Sequence, residues 1–460
     1  MTTQPSNETS CPVLDPAENP SRDRDEPANP ATGATPLPGP ETPSNRAPSA
    51  ELPFEATHRG PRRLPSMATF AVVSTSLILI FMASGTPVPL YNTYRVTNGI
   101  TDAGLAITTV TYLTTTALSL LLLGRLSDHI GRRPMAIGAV IAAIAGCLVL
   151  TQVETLPVLM TGRVLQGLAC GVASAALGSY VIDTAPARPT WLAAVLTSVG
   201  PSTAIPVGAL ISGILAEHGP APRTLVYLLL AAALTVCGVL LVVCAETMPR
   251  TPGAMASLRP RVHIPAGQAR LVLAAGAGLV ATWSLAGFYQ AFAPALTADR
   301  LGTDNAIAIA AVFSSVVVLG PVGGSLTGRL RATTALRIGL IGFVIATAVI
   351  LATLHARVIV PFLIVSVLAS LCQGTVNTGG MRAVLDHATP IDRAGLLSTL
   401  YLISYGGAAL PGLIAGSVTS VFDIDQIATG YGILVLTASL VAILALRRPP
   451  TPGMHPRQRD

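Results

Sequence analysis

Gly124-Arg-Leu-Ser-Asp-His-Ile-Gly-Arg-Arg-Pro134 is a charged turn set between two long apolar stretches. Its three arginines and one aspartate would each cost several kcal/mol inside hydrocarbon, so the turn lies in water beside a membrane. Arginine-bearing loops gather on the cytoplasmic side, and the turn therefore also sets which side of the bilayer is which.

Composition agrees. The chain has 460 residues, 51% hydrophobic and only 11% charged, against about 25% charged in a soluble domain. With a mean hydropathy of +0.63 it reads as an all-α polytopic membrane protein. The formal charge of +6 comes from arginines dispersed among short loops, not from one basic stripe, which argues against a nucleic-acid partner. All 28 basic residues are arginine. Without lysine there is no Gly-x-x-x-x-Gly-Lys phosphate loop, so ATP hydrolysis by that route is excluded. The six cysteines form no Cys-x-x-Cys pair and five lie in apolar segments, so neither a disulfide framework nor a thiolate metal site is expected.

Residues 1–63 are rich in proline and acid and read as a disordered cytoplasmic tail, ending in the basic cluster Arg59, Arg62 and Arg63. The tail lacks the apolar centre of a secretory signal. Twelve apolar segments follow, at about 67–90, 103–123, 135–152, 157–183, 191–216, 224–245, 270–295, 305–327, 336–353, 358–385, 395–419 and 429–446. Each approaches the roughly 20 residues that a helix needs to cross hydrocarbon. Outer loops then hold only Arg95, Arg223, Arg300 and Arg357, while inner loops carry arginine throughout, which predicts both termini in the cytoplasm. A proline-rich loop, 247–269, divides a bundle at 64–246 from one at 270–447, and 448–460 forms a second tail. The halves echo one another: Gln166-Gly167 matches Gln373-Gly374, Asp183, Pro186 and Arg188 match Asp386, Pro390 and Arg393, and Pro206 with Gly213 matches Pro411 with Gly416. Repeats of this kind point to a transporter with its site between them.

Gly124, Asp128, Gly131, Arg132 and Arg133 form Gly-x-x-x-Asp-x-x-Gly-Arg-Arg, and over residues 65–447 the chain resembles the major facilitator superfamily. The resemblance implies twelve transmembrane helices in two pseudo-symmetric six-helix bundles, and secondary transport by alternating access. It also implies that the turn is a conformational latch, made when the protein opens outward and broken when it opens inward. Asp183 and Glu246 are the candidate partners. A fixed loop that only sets topology is the plainer alternative. Physically, the glycines permit a tight turn and close helix approach, Asp128 can accept from backbone N–H groups, and Arg132 can pair with a carboxylate. The second half departs from the pattern: Gly328-Arg-Leu-Arg-Ala-Thr-Thr-Ala335 has no aspartate and no second glycine.

Arg163-Val-Leu-Gln166-Gly167 in the fourth segment resembles the Arg-x-x-x-Gly signature of drug/proton antiporters, where the arginine is associated with coupling. Snorkelling to the outer interface is its alternative. Gly167 and Gly171 make a small-xxx-small step suited to helix packing. Gly200-Pro201 with Pro206 partly resembles the antiporter pattern Gly-Pro-x-x-Gly-Gly, with Ala204 and Ile205 in place of the last glycines, and predicts a bent fifth helix. Polar and aromatic residues at mid-depth are the substrate-cavity candidates: Thr86, Tyr91, Thr115 and Gln166 in the first half, and Trp283, Tyr289, Gln290, Gln373, Asn377, Tyr401 and Tyr405 in the second. Interhelical hydrogen bonding is the plainer role for any one of them.

Every acid outside the N-terminal tail falls in a loop or near a helix end, and no histidine lies mid-span. Energy from a proton gradient is therefore implied by the resemblance alone. The expected function is proton-coupled efflux of a small amphipathic or apolar compound by a monomer in a bacterial inner membrane, with no cofactor or metal. Uptake of a sugar or other metabolite is one alternative, and a non-transporting receptor or scaffold is another. An enzyme is disfavoured, since His-Glu-x-x-His and Gly-x-Ser-x-Gly are both absent.

Overall fold

Among the described residues of the computed structural model, eleven helices are long and apolar enough to cross a membrane, and a bent pair, taken as one span, makes a twelfth. The structure describes residues 64–259, 263–265 and 267–447, all within one compact unit. The tail 1–63 with Arg59, Arg62 and Arg63, Arg261, and the segment 448–460 lie outside the described residues. The spans are α1 (Ser66–Asn98), α2 (Asp102–Leu123), α3 (Arg132–Leu150), α4 (Leu156–Thr184), α5 (Trp191–Ser198 and Gly200–His218) and α6 (Leu225–Val243). After the loop come α7 (Ala269–Arg300), α8 (Ala306–Leu326), α9 (Ala332–His355), α10 (Ile359–Leu385), α11 (Pro390–Val418) and α12 (Ile424–Arg447). Each expected segment has its helix, and several, among them α1, α7 and α9, run longer than the apolar run alone. Thr101 caps α2 by accepting from Gly104 N, and Asn305 caps α8 through Ile307 N and Ala308 N.

Three spans are interrupted where their sequences demand it. α1 breaks at Thr86, just before Pro87 and Pro89. α5 bends by 50° between Ser198 and Gly200-Pro201, with Pro206 inside its second part. α8 is broken between Ser315 and Gly320-Pro321.

Helices α1–α6 pack on one another, as do α7–α12, and the two bundles meet along α2 with α11 and α5 with α8. The repeat is visible in close helix approaches. In the first bundle a Cβ on Gly167 of α4 would lie 2.7 Å from Tyr112 O of α2, and one on Gly208 of α5 would lie 2.1 Å from Met82 O of α1. In the second, a Cβ on Gly374 of α10 would lie 1.7 Å from Gly320 O of α8, and one on Gly407 of α11 would lie 3.0 Å from Val280 Cα of α7. Helices pressed this close gain dispersion contacts that lipid tails cannot displace.

Gly374→Val should force α10 off α8 and cost about 3 kcal/mol. Gly406→Ala, where an added Cβ meets nothing within 4 Å, is the matched control. Thermal unfolding of the detergent-solubilised protein distinguishes them, and equal melting temperatures would contradict the packing described.

Candidate functional site

The turn of 124–134 folds back on itself and on the start of the central loop. Gly131 has φ +114°, and a Cβ there would lie 2.7 Å from Glu246 Oε2. Glycine is required twice over, by backbone conformation and by the carboxylate against it. Glu246 accepts from Arg132 N at 2.8 Å and Arg133 N at 3.1 Å, the opening N–H groups of α3, and from Thr247 N and Met248 N in its own loop. An anion at a helix N-terminus satisfies donors that have no partner within the helix. The Arg132 guanidinium binds elsewhere: Nη1 to Asp128 Oδ1 at 2.5 Å and Ser127 Oγ at 2.7 Å, and Nε to Asp183 Oδ2 at 3.3 Å. Arg133 Nη1 donates to Val242 O and Cys244 O, closing the end of α6.

Two expectations are thereby refined. Glu246 serves the backbone and not the arginine side chain, and the side chain of Asp128 pairs with Arg132 and not with backbone N–H groups. Gly124 has an ordinary helical φ of −56°, so the tight turn is made at Gly131. All these partners belong to the first bundle and the linker.

The second cluster forms where α1 breaks. Pro87 has no N–H to return to Ala83 O, so that carbonyl lacks its helical donor. It accepts instead from Thr86 Oγ1 and from Gln166 Nε2, each at 2.7 Å. The next carbonyl, Ser84 O, accepts from Arg163 Nη1 at 2.7 Å, and Thr86 O accepts from Ser212 Oγ of α5 at 2.7 Å. Arg163 is fully buried, which rules out snorkelling to the interface. Its guanidinium lies 4.1 Å over the Tyr112 ring, and Nη1 also meets Gln166 Oε1 at 2.8 Å. Its Nε and Nη2 have no hydrogen-bond partner among the described residues.

The remaining candidates separate. Trp283 of α7 packs edge-on against Tyr405 of α11 with ring centres 4.9 Å apart, and Tyr401 one turn below is partly exposed. Asn377 accepts from Thr282 Oγ1 at 3.0 Å, and the buried Gln373 Oε1 has no partner among the described residues. Thr115 is half-buried, with its Cβ facing Gly167. Gln290 is buried on α7, and Tyr91 is fully buried with its hydroxyl unpaired among the described residues. Tyr289 is turned into its own bundle, bonded to Ser366 Oγ of α10 at 2.7 Å and stacked on Phe362.

Links between the bundles gather at the end opposite the turn. Arg95, closing α1, binds Asp299 Oδ1 at 3.1 Å at the end of α7 and Asp102 at 3.4 Å. Glu217 of α5 caps α8 by accepting from Ala306 N, and Ser314 Oγ of α8 donates to Pro206 O at 3.2 Å. Sequence reasoning missed Tyr112 and this clasp. Arg95, Glu217 and Asp299 were visible as charges on outer loops, but nothing in their spacing pairs them.

A family model described as Major Facilitator Superfamily matches residues 73–312 and again 274–460, between them most of both bundles. The chain belongs to the Major Facilitator Superfamily. Within the superfamily it is 36% identical over 120 residues to the uridine/deoxyuridine transporter of Lactococcus lactis, covering 26% of this chain and 25% of that one. It is 35% identical over 152 residues to the multidrug resistance protein MdtL of Klebsiella pneumoniae, covering 32% and 38%. The chain thus spans less than half the length of these relatives. The crystal structure of the nucleoside transporter NupG aligns with a TM-score of 0.63 over 82% of this chain and 100% of that one. At 12% identity, what the two share is the major facilitator fold.

For this superfamily turn, the backbone role of Glu246 is testable. Glu246→Ala strands the first donors of α3 and should cost about 2–3 kcal/mol, with Glu246→Gln intermediate because an amide oxygen still accepts. An unshifted melting temperature in Glu246→Ala would refute the assignment.

Proposed function

We propose that this chain is a secondary active transporter working by alternating access, and that it exports a small amphipathic or apolar molecule with a proton gradient as its energy source. The observation that carries the reading is the one-ended clasp: two bundles of six helices held together by Arg95–Asp299 and by Glu217 at the α8 N-terminus. A carrier must close at one end at a time, and contacts gathered at a single end are what one of its two states requires. We read the clasped end as the outside and the turn of 124–134 as cytoplasmic, with both termini in the cytoplasm of a bacterial cell. In this reading Gly124, Asp128, Gly131, Arg132, Arg133, Asp183 and Glu246 form the latch, which awaits a partner from the second bundle in the outward-open state. The bundles are 64–246 and 270–447, the linker is 247–269, and the unit is a monomer without catalytic activity.

Export is supported by the relatives named for multidrug resistance, and by described carboxylates that lie only at helix ends and in loops, which suits a neutral or weakly charged cargo. Proton coupling is supported by Arg163, a buried cation with two unpaired nitrogens, whose effect on a neighbour's protonation depends on what faces it. A second reading, uptake of a nucleoside or other polar metabolite, is favoured by the unpaired Gln373 amide oxygen and by the uridine/deoxyuridine relative.

Purified protein in proteoliposomes with an imposed proton gradient should move at least one member of a broad panel of neutral amphipathic compounds, and Arg163→Ala should lower the gradient-dependent component at least tenfold. Gradient-driven accumulation of uridine in place of any amphipathic compound would transfer support to uptake. Flux of neither, with a phenotype lost on deleting residues 2–55, would favour a scaffold.

The clasp and the latch should act in opposite directions. Asp299→Asn weakens a partly exposed ion pair and should raise the labelling of an Ala103→Cys probe at the clasped seam about twofold to fivefold. Asp128→Asn should slow transport by shifting the population the other way. Identical accessibility in both variants would end the latch assignment.

A further inference from the structure

Arg163 sits about two turns into α4 and is the one charged side chain among the described residues that is fully buried. Its neighbours are neutral. Nη1 donates to Ser84 O and Gln166 Oε1, and Cζ lies 4.1 Å from the centre of the Tyr112 ring. The described carboxylates and histidines all sit at helix ends or in loops. Carbonyl and ring dipoles solvate a guanidinium without cancelling its charge, so one net positive charge stays inside the protein.

Two further observations give that charge a bearing on cargo. The first is a chain of rings. Tyr405 of α11 lies close to Tyr112 of α2 across the seam between bundles, and Trp283 of α7 packs on Tyr405 with ring centres 4.9 Å apart. Trp283 and Tyr405 are half-buried, and Tyr401, one turn toward the unclasped end, is 36% exposed. A unit charge acting over about 10 Å at an effective dielectric constant of about 20 changes affinity roughly fifteenfold, in opposite senses for an anion and a cation. The second is the charge of the two ends. Of the eighteen described arginines, thirteen lie at the end with the turn, where the described acids are Asp128, Asp183, Glu246, Asp386 and Asp392. The clasped end holds four, Arg95, Arg223, Arg300 and Arg357, against the other seven described acids. The preference for arginine in cytoplasmic loops accounts for the first imbalance but not the second, because it acts little on acids. The summed field draws an anion in through the unclasped end and hinders its return through the other.

We infer that the preferred cargo is an amphipathic organic anion with an aromatic body, and that Arg163 selects it by charge from behind Tyr112 without touching it. The rings of Trp283, Tyr401 and Tyr405 suit the apolar body. The fully buried guanidinium supplies the field and makes no contact. Neutral compounds of the same shape are accepted more weakly, and lipophilic cations are rejected, since no carboxylate near the seam among the described residues offsets the arginine. The inference rests on the transport reading and on its assignment of the clasped end to the outside.

The test reads binding without transport. The chain has two tryptophans, so Trp191→Phe leaves Trp283 as the sole fluorescent reporter, and it lies at the seam. The full chain carrying that change, in phosphatidylcholine nanodiscs, is titrated with three probes of matched skeleton: 4-tert-butylbenzenesulfonate, 4-tert-butylbenzenesulfonamide and 4-tert-butylbenzyltrimethylammonium. The sulfonate should bind at least tenfold more tightly than the ammonium, with the neutral sulfonamide between them. Arg163→Gln should bring sulfonate and ammonium within about threefold of each other and move the sulfonamide less than twofold, whereas Arg163→Lys, which keeps the charge, should preserve the order. An equal loss for all three probes in Arg163→Gln would mark a structural role and overturn the inference. Should that variant fail to fold, the order in the arginine-bearing chain decides alone: ammonium bound as tightly as sulfonate, or no response of Trp283 to any probe, overturns it. Gradient-driven flux of the ammonium probe in proteoliposomes would overturn it too and leave the transport reading standing. Tightest binding of the sulfonate with no flux of any probe would instead count against the transport reading, with the charge preference intact.

Discussion

A backbone carbonyl inside a bilayer has no water to turn to, and much of this molecule is arranged around that constraint. Pro87 withdraws the donor that Ala83 O needs, and the deficit is met from other helices: Gln166 reaches across from α4, and Ser212 does the same for Thr86 O from α5. Arg163 enters the same cluster through Ser84 O. The break in α1 is therefore also a joint, at which three helices are tied by polar bonds through carbonyls that a regular helix would have used internally. Breaking the helix costs hydrogen bonds locally and specifies which helices must lie alongside it.

The same logic governs the charged turn. Four backbone N–H groups converge on Glu246, so the linker after α6 is pinned to the start of α3, while Arg132 collects Asp128, Asp183 and Ser127 on its side chain. The result is a rigid unit inside one bundle. Its counterpart in the second bundle, Gly328 to Ala335, lacks the aspartate and the second glycine that would build it. The helical framework repeats closely, down to paired glycine contacts in α4 and α10, yet the charged turn is built on one side only. Framework symmetry with asymmetric fittings lets each half be tuned separately.

The number of helices and the bend of α5 were legible in the chain itself, because each depends on local chemistry, whereas the break in α8 before Gly320-Pro321 went unread. Apolar length sets a span, proline removes a donor, and a charge run must stay wet. Gln166, Asp183, Glu246 and Arg163 could be picked out by type and position. Their partners could not. Arg163 is spaced on α4 as an interfacial arginine would be, and only the packing of α1 and α2 around it buries the guanidinium against Tyr112. Tyr289 looked like a cavity residue by depth, but rotation of α7 about its axis, decided by contacts with Phe362 and Ser366, turns it inward.

The sequence by itself determined a twelve-helix membrane protein with a charged turn after α2, since those features follow from hydrophobic length and the cost of buried charge. Tertiary structure alone decided which end the bundles clasp, and that Glu246 serves a backbone and Arg132 a carboxylate pair. The physical reason is range. Hydrophobicity and backbone chemistry act within a few residues, whereas Arg95 and Asp299 are 204 positions apart and meet only because two separately folded bundles bring their helix ends together.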